Sequence, residues 1–223
     1  MASLKSKLRK GLMSSRGFRA NTRNNLWLVY SNKLNTDVSL ASNRELIYWL
    51  AKLEVDPLIE CFSFGYQASL KLDGAQDKYS SVEVIKVDYS DRPFEFHHLS
   101  SGASETKCFR IPFLSEVGEE VEVTYVQVHE GYLAAQATFC VRLLKVVSFV
   151  AQIRDGTWKA ETENISNVVR SFKNGTVQDL IELCHGIDVM IIIGICCRMV
   201  LSGQLILDLE LNEFGRKSKW RLP

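Results

Sequence analysis

Several features that identify common protein classes are absent from this chain of 223 residues. It has only four Pro and thirteen Gly, too few for a collagenous or low-complexity protein, and 46% of its residues are hydrophobic, too many for a disordered one. No apolar run reaches the ~18 residues that a membrane span requires. The nearest, residues 189–201, is interrupted by Gly194 and Arg198. We therefore predict a globular cytoplasmic protein of one or two domains, without membrane contact.

Motifs of several enzyme classes are also missing. The sequence contains no G-x-S-x-G, no Gly-rich loop before a helix and no C-x-x-C pair. Cys184, His185 and Cys196 lack the spacing of zinc ligands, so we interpret them as core thiols beside a turn histidine. Six scattered cysteines and no signal peptide predict free, mostly buried thiols in a reducing compartment.

Acidic residues are absent from both ends of the chain. Eight Lys and Arg precede the first acid, Asp37, and four follow the last, Glu213, so the stretch between carries a net charge of −11. Basic ends of this kind commonly bind the phosphate backbone of nucleic acids. A solvated tail and a mitochondrial presequence fit the N-terminal composition as well. The predicted DNA-binding residues are Lys5, Lys7, Arg9, Lys10, Arg16, Arg19, Arg23, Arg216, Lys217 and Lys219.

The first 154 residues alternate between helical and strand patterns. Ser42 with Glu45 three residues later predicts a capped helix that ends before Asp56-Pro57. Alternating or β-branched segments predict strands over 58–72, 79–89, 94–99 and 121–128, and residues 133–153 predict a helix packed on the sheet. Residues 1–154 are therefore predicted to form one α/β domain.

The remaining residues, 155–223, predict a small second domain. Residues 156–174 are polar and predict a linker with a short helix at 165–172. Thr176 with Asp179 predicts the start of another helix, Asp188 caps the apolar helix 189–201, and 204–211 alternates as a strand. Helix, tight turn, helix and strand indicate a winged-helix-like domain.

Four residues on neighbouring predicted elements could support metal-dependent chemistry. Glu45 lies on the first helix, Glu83 in the predicted hairpin, and Glu95 and His97, followed by His98, on its return strand. Phosphodiester cleavage with Mg²⁺ requires carboxylates that converge on the metal and a group that orients the attacking water. Glutamates on a strand surface are more often simply solvated. The pattern nevertheless gives Glu45, Glu83 and Glu95 as candidate Mg²⁺ ligands, and these three with His97 as candidate catalytic residues.

Residues 42–62 resemble the TnsA family of endonucleases, which cleave donor DNA at the ends of heteromeric transposons. The family's Ser-x-x-Glu at the helix start corresponds to Ser42 and Glu45, and its acidic-Asp-Pro stretch to residues 54–57. Residues 79–83 lie where the family has Tyr-Thr-Pro-Asp, and 94–97 where it has Glu-x-Lys. Residues 114–124 and 180–220 are similar to the family's next strand and its C-terminal domain. The resemblance implies a restriction-endonuclease-like mixed sheet with flanking helices, and partners of two kinds, a TnsB-like transposase and a TnsC-like ATPase.

Two departures from the family pattern affect the implied nuclease centre. The family's metal-binding Asp falls on Val82, or on Glu83 if a bulge shifts the strand, and the Lys of Glu-x-Lys is replaced by His97. The resemblance therefore implies a transposition component that binds transposon-end DNA with a degenerate nuclease centre. An active metal-dependent endonuclease that uses Glu83 and an unrelated cytosolic interaction protein are the alternatives.

Overall fold

The structure is a computed structural model that describes residues 25–71, 79–100, 105–210 and 212–223, with a mixed α/β architecture. The predicted DNA-binding bases from Lys5 to Arg23 lie outside the described residues. The chain forms two compact units that do not follow chain order. Unit 1 holds residues 25–29, 38–46 and the described part of 62–132, whereas unit 2 holds 30–37, 47–61 and the described part of 133–223. The functional division at residue 154 stays a prediction.

A hairpin and a short helix precede the main sheet. Strands β1 (Trp27–Ser31) and β2 (Thr36–Leu40) pair with each other and were not predicted. Helix α1 (Asn43–Tyr48) continues into a π-helical turn, Trp49–Leu53, so the predicted helix is confirmed. Its start is capped in both directions, because Glu45 N donates to Ser42 Oγ at 3.1 Å and the Glu45 carboxylate accepts from Ala41 N at 2.6 Å.

Unit 1 is built around a closed five-stranded barrel. Its strands are β3 (Ile59–Leu70), β4 (Ser80–Tyr89), β5 (Glu95–Ser100), β6 (Lys107–Leu114) and β7 (Glu120–His129), in the order β3-β4-β5-β7-β6. Strands β5 and β7 are parallel, whereas β4–β5, β6–β7 and β3–β6 are antiparallel pairs. Strand β6 was not predicted, and it makes the return between the parallel strands that a helix commonly provides.

The barrel encloses an aromatic and aliphatic core. Phe96 of β5 and Phe113 of β6 are buried, and their rings meet edge to face with centroids 5.0 Å apart. Val84 of β4 and Tyr125 of β7 belong to the same cluster, and Val82 packs against it. Because strand side chains alternate between faces, this cluster identifies the inward face of each strand.

Unit 2 holds the rest of the helices and a small sheet. Its elements are α2 (Glu130–Gln152), which begins at the end of unit 1, α3 (Lys159–Phe172), β8 (Asn174–Thr176), α4 (Val177–Leu183), α5 (Val189–Leu201), β9 (Ile206–Leu207) and β10 (Lys219–Arg221). The short helix predicted at 165–172 is confirmed, but the linker predicted before it is wrong for residues 159–164, because the helix begins at Lys159 and runs for 14 residues. It buries Ile165 and Val169 one turn apart. The strand predicted over 204–211 is reduced to Ile206–Leu207.

The helices of unit 2 begin where the sequence predicted. The Thr176 side chain accepts from Asp179 N and the Asp179 carboxylate accepts from Thr176 N, so the capping box is complete at α4. Asp188 accepts from Met190 N at 2.8 Å at the start of α5. The helix α5 is buried from Ile192 to Cys197, which confirms the predicted burial of this helix.

Helix α2 has the length and composition of a membrane span, with a mean hydropathy of 1.6 over its most apolar window. Core helices of soluble proteins meet the same criterion. In unit 2 the helix packs with other elements, since Lys145 Nζ donates to Phe214 O at 2.8 Å and Arg142 Nη1 to Leu209 O at 3.0 Å. The absence of membrane contact and the cytoplasmic location stay predictions.

The six cysteines are all free, and four of them are buried. Burial raises the pKa of Cys140 to about 11 and that of Cys196 to about 12. Both thiols therefore stay protonated at neutral pH, as expected of core residues rather than nucleophiles.

Candidate functional site

A cavity of about 360 Å³ in unit 1 is lined by three of the four predicted site residues. Glu45 reaches it from α1, Glu83 from β4 and His97 from β5, and Arg44 and His98 also line its wall. The cavity thus joins the helix start to the β4–β5 hairpin, as the sequence pattern led us to expect. The fourth residue, Glu95, is not part of this lining.

Strand alternation determines which residue of β4 faces this site. In the β4–β5 pairing Ile85 lies opposite His97 and Val87 lies opposite Glu95. Glu83 is two residues from Ile85 and therefore shares the face of Glu95 and His97. Val82 points to the other face and packs against the barrel core. Glu83, and not Val82, therefore occupies the site, and simple alternation is sufficient to place it there.

Glu95 is held by two neighbouring side chains. Its Oε2 lies 2.9 Å from Nε2 of His97, which is only 2% exposed, and its Oε1 accepts from Arg92 Nε at 3.1 Å. Burial alone would raise the pKa of Glu95, but the contacts with His97 and Arg92 outweigh it and hold the pKa below its ordinary value. Glu95 is therefore an ionised partner of two nitrogen groups.

The aromatic ring of Tyr89 supports the same cluster. The Arg92 guanidinium lies over this ring, 3.6 Å from its centroid. Burial, assisted by the charge of Glu95, raises the pKa of Tyr89 to about 12, so this phenol stays protonated at neutral pH. Arg92 thus lies between Tyr89 and Glu95, and its positive charge balances the negative charge of the Glu95 carboxylate.

The three candidate carboxylates do not fit one Mg²⁺ site. Glu95 lies opposite Val87, and Glu83 is four residues before Val87. At roughly 3.3 Å per strand residue, the Cα atoms of Glu83 and Glu95 are about 13 Å apart along the strands. Ligands of one Mg²⁺ must each reach within about 2.1 Å of the ion. In the described part of the chain, no group of three or more His, Cys, Asp or Glu side chains could hold a metal ion.

The other polar groups of the cavity have partners within unit 1. The Glu45 carboxylate accepts from Ala41 N, and Glu83 lies 3.5 Å from the Gln67 amide nitrogen. The Arg44 guanidinium donates to the Leu99 carbonyl. Glu45 therefore serves the helix start as well as lining the cavity.

His98 is a further cavity residue, which the sequence places beside Glu95 and His97 on the return strand but which was not among the four candidate catalytic residues. Its Nδ1 lies 2.7 Å from the Tyr125 hydroxyl, which belongs to the barrel core. Burial and the nearby Arg44 charge lower the pKa of His98, so its ring is neutral at physiological pH. Strand alternation assigns His98 to the face opposite His97.

The C-terminal bases that the sequence predicts to bind DNA lie in unit 2. Arg216 and Lys217 are exposed in the connection between β9 and β10, and Lys219 is exposed on β10. No family model matches this sequence, and no curated protein is significantly similar to it. The resemblance to the TnsA family thus stays a prediction that depends on the residues described above.

Proposed function

We propose that the chain is a TnsA-like component of a DNA transposition machinery with a degenerate nuclease centre. In this role it binds transposon-end DNA and contacts a TnsB-like transposase and a TnsC-like ATPase. The cavity that brings Glu45, Glu83 and His97 together carries the proposal. Glu45 and His97 are at positions of the family's catalytic motifs, and Glu83 adjoins Val82, on which the family's metal-binding Asp falls.

The order of elements in unit 1 supports a restriction-endonuclease-like sheet as the finer fold. A helix is followed by the consecutive strands β3, β4 and β5, and β7 then pairs parallel to β5. This arrangement brings Glu45 of α1 to the face of the β4–β5 hairpin, as a TnsA-like nuclease centre requires. The closure of the sheet by β6 distinguishes the chain from that pattern, and we regard it as a modification of the sheet.

The arrangement in unit 2 supports a winged-helix-like C-terminal domain. Helix α3, strand β8, helices α4 and α5, and strands β9 and β10 follow one another, and the sheet order is β8-β10-β9. In such a domain the connection from Asp208 to Ser218 would serve as the wing, and it carries Arg216 and Lys217. These bases are suited to phosphate contacts.

Two features of the site favour a degenerate centre over an active one. Glu95 is bound by Arg92 and His97, and its position along the strand separates it from Glu83. Replacement of the family's Lys by a buried His also removes a fixed positive charge near the scissile phosphate. Two-metal cleavage depends on carboxylates on both sides of that phosphate, which this arrangement does not supply.

An active metal-dependent endonuclease is the second candidate, and the position of Glu83 favours it. Glu83 faces the same cavity as Glu45 and His97, so two carboxylates are available near one histidine. Such an enzyme would cut DNA strands at transposon ends through an unusual ligand set.

A cleavage and binding experiment separates the candidates. The full chain is incubated with supercoiled and linear duplex DNA in Mg²⁺ or Mn²⁺, alone and with the proposed transposase and ATPase partners. We expect DNA binding that weakens with salt and no nicking in either condition. Nicking that is lost in Glu83→Gln but retained in Glu122→Gln, an exposed residue of β7, would establish the active enzyme. A chain that binds no DNA at low salt, on the order of 50 mM, would leave the unrelated interaction protein as the remaining hypothesis.

A further inference from the structure

Helix α5 is in the place of the recognition helix of a winged-helix domain, but its burial prevents it from contacting bases. Residues Ile192–Cys197 are buried in succession, and Met199 and Leu201 are buried after them. Its one basic residue, Arg198, donates to the Ile153 carbonyl at 2.9 Å and to the Gly156 carbonyl at 3.4 Å. Base recognition by a second helix requires exposed polar side chains along the helix. Helix α5 is instead the core of unit 2.

The small sheet of unit 2 presents a polar outer face. Trp220 of β10 is 2% exposed and points inward, whereas its neighbours Lys219 and Arg221 are exposed. The pairing places Arg221 between Asn174 of β8 and Ile206 of β9. A groove of about 650 Å³ is lined by these strands and by Asp208, Glu210 and Asn212 of the connection that follows β9. Side chains that donate to phosphates therefore lie side by side along a concave surface.

Further bases adjoin this face at its two ends. Lys173 is exposed directly before β8, and its carbonyl accepts from Leu222 N at 3.0 Å, which places it beside the end of β10. Arg216 and Lys217 precede β10 at the other end. Among the described residues, none of the bases on or beside this sheet forms an ion pair with a carboxylate.

The Asp208 carboxylate, which also lines this groove, is bound to the backbone of the sheet. Asp208 Oδ1 accepts from Lys219 N at 2.8 Å, and its Oδ2 lies 3.4 Å from the Asn212 amide nitrogen. These hydrogen bonds occupy both carboxylate oxygens of Asp208 and hold the start of the connection between β9 and β10 against β10. The Lys219 side chain is exposed on the same strand.

We infer that the outer face of the β8-β10-β9 sheet binds the phosphodiester backbone of duplex DNA without reading its base sequence. The inference rests on the proposed function and specifies which surface of unit 2 contacts DNA. Lys, Arg, Asn and Thr side chains commonly contact phosphates, and such contacts position a protein on DNA without specifying sequence. The burial of α5 removes the element that would provide base contacts.

The salt dependence of duplex DNA binding tests whether the outer face of the β8-β10-β9 sheet contacts phosphates. We expect Lys219→Gln and Arg221→Gln each to lower the slope of log Kobs against log salt by about 1, and the double variant by about 2. Each change should weaken binding at about 50 mM salt by roughly tenfold, since one counterion-releasing contact is lost. Lys159→Gln is the matched control, because it removes one exposed charge from the start of α3. Lys219→Arg should retain the binding of the parent chain.

The controls separate failure of this inference from failure of the proposed function. Circular dichroism establishes that the variants are folded, as their exposed positions predict. If the parent binds DNA and the double variant binds equally well, the sheet is not the contact surface. If the parent binds no DNA, the proposed function fails together with this inference. Selection from random duplexes should yield no enriched motif, and a reproducible motif would overturn the sequence-independent mode.

Discussion

The buried carboxylate of Glu54 allows a quantitative test of what holds unit 2 together. It is 1% exposed, and both of its oxygens accept hydrogen bonds. One oxygen accepts from Ser31 Oγ at 2.7 Å and from Trp49 Nε1 at 3.0 Å. The other accepts from Asn32 N at 2.7 Å and Lys33 N at 3.1 Å. Glu54 thus joins the β1–β2 turn to the π-helical turn.

The change Glu54→Gln keeps the shape of this side chain but replaces one oxygen with a donor. The two backbone donors at residues 32 and 33 cannot reorient, so the amide nitrogen should turn toward Ser31 and Trp49. The Ser31 hydroxyl can rotate to accept a hydrogen bond, whereas the Trp49 indole cannot. One buried donor then loses its acceptor at about 1–3 kcal/mol, and the remaining bonds lose the assistance of the charge. We expect the free energy of unfolding to fall by about 2–4 kcal/mol.

Urea unfolding measures this loss, and a double-mutant cycle isolates the indole bond. Trp49→Phe removes the indole donor and also some packing, so its cost alone does not measure the bond. In the Glu54→Gln background the bond is already broken, so Trp49→Phe should cost about 1–2 kcal/mol less than in the parent. Glu60→Gln, an exposed change on β3, should stay within about 0.5 kcal/mol of the parent. A Glu54→Gln variant as stable as the parent, or strictly additive changes, would refute the reasoning.

Three shorter predictions concern the site and the core. Val82→Asp should destabilise the chain by several kcal/mol without creating cleavage, because it places a carboxylate against the barrel core, and urea unfolding with a nicking assay checks both outcomes. Arg92→Gln should raise the pKa of Glu95 toward 4.5, so the stability advantage of the parent over this variant should be present at pH 7 and vanish as pH falls through the lowered pKa. Chemical denaturation from neutral pH down to about pH 3 tests that sign. Ile192→Asp should unfold unit 2, since Ile192 is fully buried, whereas Met190→Asp at a 39% exposed position should be tolerated in the same thermal melt.

Local patterns in the sequence were sufficient for most helices and for four of the five strands of the barrel. Ser42, Thr176 and Asp188 marked helix starts because each supplies a side-chain acceptor for backbone N–H groups near the beginning of its helix. The mostly apolar stretch Val189–Leu201 indicated a buried helix, and in the structure this helix is buried from Ile192 to Cys197. These features depend on neighbouring residues alone, so a sequence contains them directly.

The errors occurred where a longer-range contact decides the structure. Residues 159–164 resembled a linker because they are mostly polar, and the buried stripe of α3 is identified only by Ile165 and Val169, which follow them. Strand β6 begins with exposed residues on both faces, and it is held by its pairing to β7 over eight residue pairs. Neither its partner nor the closure of the barrel is encoded in a local pattern. The β1–β2 hairpin is short and half-exposed, which weakens its alternation.

The candidate site shows the difference between a face and a position along a strand. Alternation places Glu95 and His97 on one face of β5 and Glu83 with Ile85 on one face of β4, which is a property of each strand by itself. Whether these two faces coincide, and how far Glu83 lies from Glu95, depends on the register of β4 against β5, and alternation alone determines no register. The sequence could therefore predict which residues gather on the hairpin, but not which of them meet.

The negative charge around the candidate site disfavours DNA contacts there. Residues 37–213 carry a net charge of −11, and the cavity presents Glu45 and Glu83. The nearest cations and imidazoles there have other roles, because Arg44 donates to the Leu99 carbonyl and burial favours the neutral form of His98. A phosphodiester approaching this cavity meets net repulsion unless cations accompany it. A DNA-binding role for this chain thus requires a separate basic surface, and the exposed bases of β10 are suited to it by position and by charge.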